Sequence, residues 1–265
     1  MRLIWPAVLL LATSCGLAED DTLPMVSGTF GVRPTVAVPS GKPGRLPRVS
    51  VISTGGGRCT VPGDVVLADL EIRRWAGNRP HLNTYDTHRP ATVVFDGRGV
   101  PDTWRQALIG RPAGSRVVLV GPAAHTLGPD MEFGDLGAAE TLVVVFDILG
   151  GYPPDARLVG RPLPVVPAGL TPEAPARTLI GGSGERVRAG VKIVVQYVAA
   201  AWPSLAVVDS TYRRGGPSAY TLEPGTVPPG WPQGLPGARV GGRVALGSPA
   251  KGEPRLYVID ILDVI

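Results

Sequence analysis

The chain has 265 residues, room for two cores of about 100 residues each. It is 44% hydrophobic and 18% charged with 36 Gly and 29 Pro, a content of turn formers that disfavours a helical bundle and favours an all-β or α+β fold. Three of its 26 basic residues are Lys, the formal charge is +4 and no basic run alternates with aromatics, so a nucleic-acid surface is not expected.

The N-terminus reads as an export signal. Arg2 supplies a positive start, Leu3 to Ala12 is apolar, and the small residues Ala12, Thr13 and Ser14 lead into Cys15. That stretch is too short to span a bilayer, which takes roughly 20 apolar residues. An ordinary cleaved secretory signal is one reading. The other follows from Cys15 standing directly after small residues, which resembles the lipobox of bacterial lipoproteins, with Ala12 where Leu is commoner. The resemblance implies a signal peptide over 1–15, lipidation at Cys15 and a place on the outer face of the cytoplasmic membrane. Cys59 then has no intramolecular partner, and a buried or free thiol is expected there.

Residues 16–47 carry scattered Pro and Gly and predict a tether with at most one short strand. A similar stretch, GYPPDARLVGRPLPVVPAGLTPEAPA at 151–176, predicts a linker between domains at 48–150 and 177–265. These two segments are copies of one another. VPDTWRQALIGRPAGSRVVL at 100–119 and VPPGWPQGLPGARVGGRVAL at 227–246 share ten residues at a constant offset of 127. Each copy opens with a glycine turn and an apolar strand, and Gly63 and Gly190 keep the offset. Strand follows each turn where a phosphate cradle would need a helix, so these are turn glycines. TLVVVFDIL at 141–149 and RLYVIDIL at 255–262 close the copies as β-prone runs. Between opening and closing strands, W-x-Q-x-L-x-G predicts one short helix ended by Gly. Leu119 to Asp147 is 28 residues and Leu246 to Asp260 is 14, so the second copy has lost half of a loop.

The order of VVQY, VVDS, VPPGWPQGLPGARVGGRVAL and YVIDILDV in the second copy resembles the FKBP-type peptidyl-prolyl isomerases over Gly184 to Val264. The first copy resembles a more diverged member over Gly57 to Leu149, with TYDT and VPDTW as anchors. The fold implied is α+β: two FKBP-like domains, each a curved antiparallel sheet wrapped over one short helix. The resemblance implies a second pocket of Tyr197, Asp209, Trp231 and Tyr257 as catalytic residues, with Val208, Tyr220, Val227 and Pro228 holding substrate. It implies a first pocket of Tyr85, Asp86, Val100, Pro101 and Trp104, in which Leu70 stands at a Tyr position and Val144 at an aromatic one. Core packing is the ordinary role for any one of these aromatics, and their joint order is what points to a pocket.

The activity implied is rotation of X-Pro bonds in proline-containing exported polypeptides, with membrane attachment through the N-terminal lipid. No cofactor or metal is implied, and the three His have no metal-ligand spacing. The alternative is a non-catalytic chaperone or prolyl-peptide-binding lipoprotein with degenerate domains. The first domain keeps a long loop at the place of the family's flap, whereas SPAKGEP leaves the second without one.

Overall fold

A computed structural model describes residues 23–95, 99–128, 131–250 and 252–265. Residues 1–22, which hold the export signal and Cys15, lie outside the described residues. The chain begins with a two-stranded hairpin, β1 (Met25–Ser27) and β2 (Thr35–Ala37).

The first domain follows with β3 (Arg48–Ser53), β4 (Val65–Arg74), β5 (Pro80–Asn83), β6 (Ala91–Val94), α1 (Asp102–Leu108), β7 (Arg116–Pro122), α2 (Ala123–Thr126) and β8 (Thr141–Tyr152). Its sheet runs β3-β7-β8-β4-β5, with β6 also paired to β4, and every pairing is antiparallel. The second domain repeats the plan: β9 (Arg177–Ile180), β10 (Lys192–Ala201), β11 (Val207–Ser210), β12 (Ser218–Thr221), α3 (Trp231–Gly234), β13 (Arg243–Ser248) and β14 (Arg255–Val264). Its order is β11-β10-β14-β13-β9, with β12 on β10, again antiparallel.

The offset of 127 holds in the strand registers. Val66 pairs with Val93 where Ile193 pairs with Tyr220, and Ile72 pairs with Leu82 where Ala199 pairs with Asp209. Gly63 and Gly190 sit at φ +92 and +79, a conformation that costs a residue with a Cβ. The predicted helix differs in length between the copies. In α1 it runs from Asp102 to Leu108, whereas in α3 it is a single turn from Trp231 to Gly234. Pro232 is tolerated in a first turn, but Gly234 and Pro236 do not extend it.

Period-two alternation divides each sheet into two faces. Val66, Ala68, Leu70 and Ile72 face the helix with Trp104, Leu108 and Phe146. Ile193, Val195, Tyr197 and Ala199 do the same with Trp231, Leu235 and Ile259. The outward faces are also covered, the first by two paired strands where a tether with at most one short strand is expected, the second by the stretch expected as a linker. Val36 of β2 packs on Val118, Val120, Val143 and Val145 of the first sheet. Leu170, with Val166 and Ala174 from the Pro-rich stretch, packs on Ala245, Leu256 and Val258 of the second. The physical reason is that each sheet is apolar on both faces and needs a second cover.

A buried ion pair anchors each cover. Arg116 meets Asp147 at 2.6 Å and donates to the carbonyls of Gly28, Thr29 and Val32. Arg243 meets Asp260 at 2.5 Å and donates to the carbonyl of Pro162. Tyr85 and Tyr212 complete the pairs, each donating its hydroxyl to the partner carboxylate at 2.9 Å. The domains touch through these same outer faces: Val65, Leu67 and Leu149 cluster with Val194 and Ala219, Lys192 Nζ lies 2.8 Å from Asp69 Oδ2, and Tyr152 donates to Asp263.

Candidate functional site

On the helix side of the second sheet, four rings form one cluster. Trp231 meets Tyr197 at 5.5 Å, Tyr220 at 5.5 Å and Tyr257 at 5.4 Å between centroids, each edge to face, the geometry in which ring quadrupoles attract. Alternation on β10 and β14 turns Tyr197 and Tyr257 toward the helix, and the turn at Gly230 delivers Trp231 beneath them. Trp231 is fully buried, and Val227 is buried beside it. Pro228 is half-buried, and Val208 is exposed at the rim.

A polar network caps one edge of this apolar floor. Tyr197 donates its hydroxyl to Asp209 at 2.7 Å. Arg214 pairs with Asp209 at 2.8 Å and donates to the Tyr197 hydroxyl at 2.6 Å. The guanidinium also lies 5.7 Å from the Tyr197 ring centroid, within cation–π range. Burial, then the neighbouring Tyr220 and Asp209, hold the Tyr197 phenol well above its ordinary range, so it remains a donor at any physiological pH. Burial likewise raises Tyr257. Arg214 escaped the sequence reading. Arg214 lies five residues past Asp209, and the β11–β12 connection folds back to set it against that carboxylate and the Tyr197 hydroxyl.

The structure therefore gathers Tyr197, Asp209, Tyr220, Val227, Trp231 and Tyr257 at one place. The first domain does not do the same. Val100, Pro101 and Trp104 meet at the start of α1, but Tyr85 and Asp86 are elsewhere, and their placement in a first pocket is corrected. Tyr85 lies on the outward face against Asp147, as Tyr212 lies against Asp260. Asp86 is exposed and pairs with Arg33. Matching the Asp of TYDT to that of VVDS slips the alignment by four residues; the register instead sets Leu82 opposite Ile72 where Asp209 stands opposite Ala199. By the same offset Leu70, Thr87 and Val93 replace Tyr197, Arg214 and Tyr220, so the polar edge is gone.

The first domain also closes over its own floor. Trp104 Nε1 donates to the Thr126 carbonyl at 2.9 Å. Gly128 lies so close that a Cβ there would stand 2.5 Å from Cη2 of the indole. Leu127 and Leu136, from the same connection between β7 and β8, are buried in the core around Trp104. In the second domain residues 249–254 replace this connection, and the buried Nε1 of Trp231 has no partner among the described residues. Cys59 is exposed and free. Among the described residues no group of acidic, His or Cys side chains could hold a metal ion.

A Tyr–Asp–Arg edge over a Trp floor, held by an antiparallel sheet and one short helix, is the arrangement found in the second copy, and that is where the family comparison falls. The model of the FKBP-type peptidyl-prolyl cis-trans isomerases matches residues 183–251. An FK506-binding protein of Streptomyces anulatus is 33% identical over 98 residues, covering 31% of this chain and 79% of that protein. A probable FK506-binding protein of Corynebacterium glutamicum is 30% identical over 116 residues, covering 38% of this chain and 97% of that protein. The chain belongs to the FKBP-type peptidyl-prolyl cis-trans isomerase family. Among solved structures, the three FKBP domains of wheat FKBP73 overlap 83% of this chain and 94% of theirs, at 11% identity and a TM-score of 0.34.

Proposed function

We propose that the second domain is a peptidyl-prolyl cis-trans isomerase acting on proline-containing polypeptides outside the cytoplasm, and that the first domain is its non-catalytic companion. The observation that carries this reading is the hydrogen-bonded Tyr197–Asp209–Arg214 edge above Trp231, Tyr220 and Tyr257. Arg2, the apolar run after it and Cys15 support export and lipid attachment at the outer face of the cytoplasmic membrane.

Rotation about an X-Pro bond makes and breaks no covalent bond. Its barrier of about 20 kcal/mol is the amide resonance lost as the bond twists. A site therefore needs no nucleophile, metal or proton shuttle. It needs an apolar floor for the proline ring, which Trp231, Val227 and Tyr257 supply. Apolar surroundings penalise the planar amide, the more polar form, more than the twisted one. The polar edge fixes the flanking groups. Asp209, clamped by two donors and 27% exposed, presents a fixed negative charge toward the rim, and pre-set dipoles of this kind need no reorganisation during the reaction.

The test is the cis-to-trans rate of a short X-Pro peptide with the purified protein and with Trp104→Ala and Trp231→Ala variants. Acceleration abolished by Trp231→Ala and kept by Trp104→Ala is the expected result. No acceleration by intact, folded protein would end the isomerase reading.

A further inference from the structure

We propose that the second domain holds its client on the N-terminal side of the proline in a groove beside α3, where a backbone carbonyl of the client accepts from the indole N–H of Trp231. This rests on the isomerase reading of Trp231 and adds a contact made by the same ring, one that favours long polypeptides over short X-Pro peptides.

The first domain shows this contact made by its own chain. Thr103 donates its hydroxyl to the His125 carbonyl, Trp104 Nε1 donates to the Thr126 carbonyl at 2.9 Å, and Gly128 lies on Cη2 of the same indole. On the other side, a Cβ on Gly121 would stand 3.1 Å from Pro47 Cβ and 3.2 Å from Thr126 Cγ2, so Pro47 and α2 meet over the end of β7. One short run of polypeptide, α2 and the two residues after it, thus fills a slot between α1 and Pro47 and passes from there onto the Trp ring.

The second domain keeps the walls of that slot. By the offset of 127, Ala174 stands for Pro47, Gly230 for Thr103, Gly234 for Ala107 and Leu246 for Leu119. Pro249 stands for Pro122, but the chain then turns back through Gly252, at φ +89, into β14, and no counterpart of α2 is made. What remains is a groove of 660 Å3 lined by those residues, with Ala176 on one side and Gln233 of α3 on the other. Leu246 lines the groove and packs in one cluster with Trp231, so groove and ring share a wall. Trp231 is fully buried, and its Nε1 has no partner among the described residues. An unpaired buried donor costs free energy until an acceptor reaches it; in the first domain the acceptor is the slot's occupant.

Chemistry and continuity name the occupant. Glu173 is the groove's one charged side chain among the described residues, and Ala, Gly, Pro and Leu line most of the rest. Nothing there would pair with a phosphate or a charged head group. The surface suits a neutral chain with mostly small side chains and a carbonyl to offer, as AAHT of α2 offers in the first domain. There the chain runs from slot to ring, so the residue on the indole follows the residues in the slot. A client whose proline lies on Trp231 therefore sets the residues before that proline in the groove.

The test uses the full chain carrying Ala176→Trp and Gln233→Trp together, which fills the groove from both sides. Both residues are exposed and lie outside the aromatic cluster, so the melting temperature should hold. The substrates are a tetrapeptide with one X-Pro bond, the same tetrapeptide preceded by AAHTLG, the sequence of residues 123–128, and the same preceded by Gly and Ser over an equal length. With the parent, AAHTLG should raise kcat/KM about tenfold through KM, the worth of one such hydrogen bond with its apolar contacts, and the Gly-Ser extension should not. In the variant that advantage should vanish while turnover of the tetrapeptide is unchanged. No advantage in the parent, an advantage that survives in the variant, or equal loss for the tetrapeptide overturns the proposal. The indole N–H resonance of Trp231, assigned with Trp231→Phe, gives a reading that needs no turnover: the AAHTLG peptide should shift it downfield and slow its exchange in the parent and leave it unmoved in the variant. Should the parent turn over none of the peptides, the isomerase reading fails by itself, and this resonance still decides the groove: a saturable shift in the parent alone supports it, and no shift removes it. A shift on concentrating the protein alone would assign the groove to a second copy of the chain and overturns the proposal.

Discussion

The two domains share a strand plan, a buried Arg–Asp–Tyr triad on the outer face and a Trp at the start of the helix, yet one buries its floor under its own chain and the other leaves its polar edge at the surface. In the first domain Thr126, Leu127 and Gly128 sit on Trp104, and Leu70, Leu82, Thr87 and Val93 occupy the positions of Tyr197, Asp209, Arg214 and Tyr220. The difference teaches that this frame is indifferent to what lies above the Trp. Apolar residues and a docked loop make a core; a Tyr–Asp–Arg network and a short connection make a site. The strands that hold either one are the same.

The strongest way to break the comparison is to remove each floor in turn. Trp104→Ala and Trp231→Ala should each cost about 3–5 kcal/mol of stability in calorimetric unfolding, the usual range for deleting a buried aromatic. Trp104→Ala should lie at the upper end, since it also strands the Thr126 carbonyl that now accepts its N–H. Only Trp231→Ala should abolish isomerisation. The reverse pattern, with activity following Trp104, would invert the assignment of the two domains.

A second pair of changes tests whether the frames are equivalent. Arg116→Met leaves Asp147 buried with the Tyr85 hydroxyl and the Gly31 N–H as its remaining partners. Arg243→Met leaves Asp260 with the Tyr212 hydroxyl. Stranding a buried carboxylate in this way costs about 3–5 kcal/mol. The accompanying effects should differ. Arg116→Met also frees three carbonyls of the N-terminal cover, so residues 28–32 should become sensitive to limited proteolysis. Arg243→Met frees only Pro162. Matching proteolysis at both covers would mean that packing, and not the guanidinium, holds the first one down.

The duplication and the antiparallel sheets were legible in the sequence because they are carried by local pattern: period-two alternation, turn glycines and a ten-residue match at one offset; the second aromatic cluster was implied by the resemblance to the FKBP-type isomerases. What was not legible depends on contacts between distant segments. Residues 23–38 read as a tether because Pro and Gly are scattered through them, and only the apolar outward face of β7 and β8 explains why Val36 packs there. Tyr85 was assigned to the wrong face because an Asp was matched in place of a register, and in a strand the face is decided by register alone. Arg214 was missed because it lies in the connection after β11 and meets Tyr197 of β10 only when that connection folds back. The closing of the first pocket is a three-residue event at Thr126–Gly128, and nothing in LGP distinguishes a lid that stands off from one that lies down.

The mildest test concerns alkali. Burial is the first cause that raises the phenols of Tyr85 and Tyr212 on the outer faces, and their carboxylate acceptors, Asp147 and Asp260, raise them further. Tyr152, Tyr197 and Tyr257 are raised by burial as well. In the unfolded chain each phenol loses its proton near pH 10. A phenol whose folded value is higher keeps its proton in the native state while the unfolded state has lost it, so fewer protons are bound on unfolding and stability falls as pH rises. The contribution is complete below pH 10 and declines above it, by at most about 1.4 kcal/mol per pH unit for each such phenol. Denaturant midpoints should therefore be flat from pH 8 to near 10 and drop beyond it. Tyr85→Phe and Tyr212→Phe should each flatten that drop by a similar step, because the two phenols do the same work in the two domains. Absorbance titration of the folded protein gives the opposing result its form: if Tyr85 and Tyr212 ionise near pH 10, the triads are open to water and the equivalence of the two outer faces fails at its most buried point.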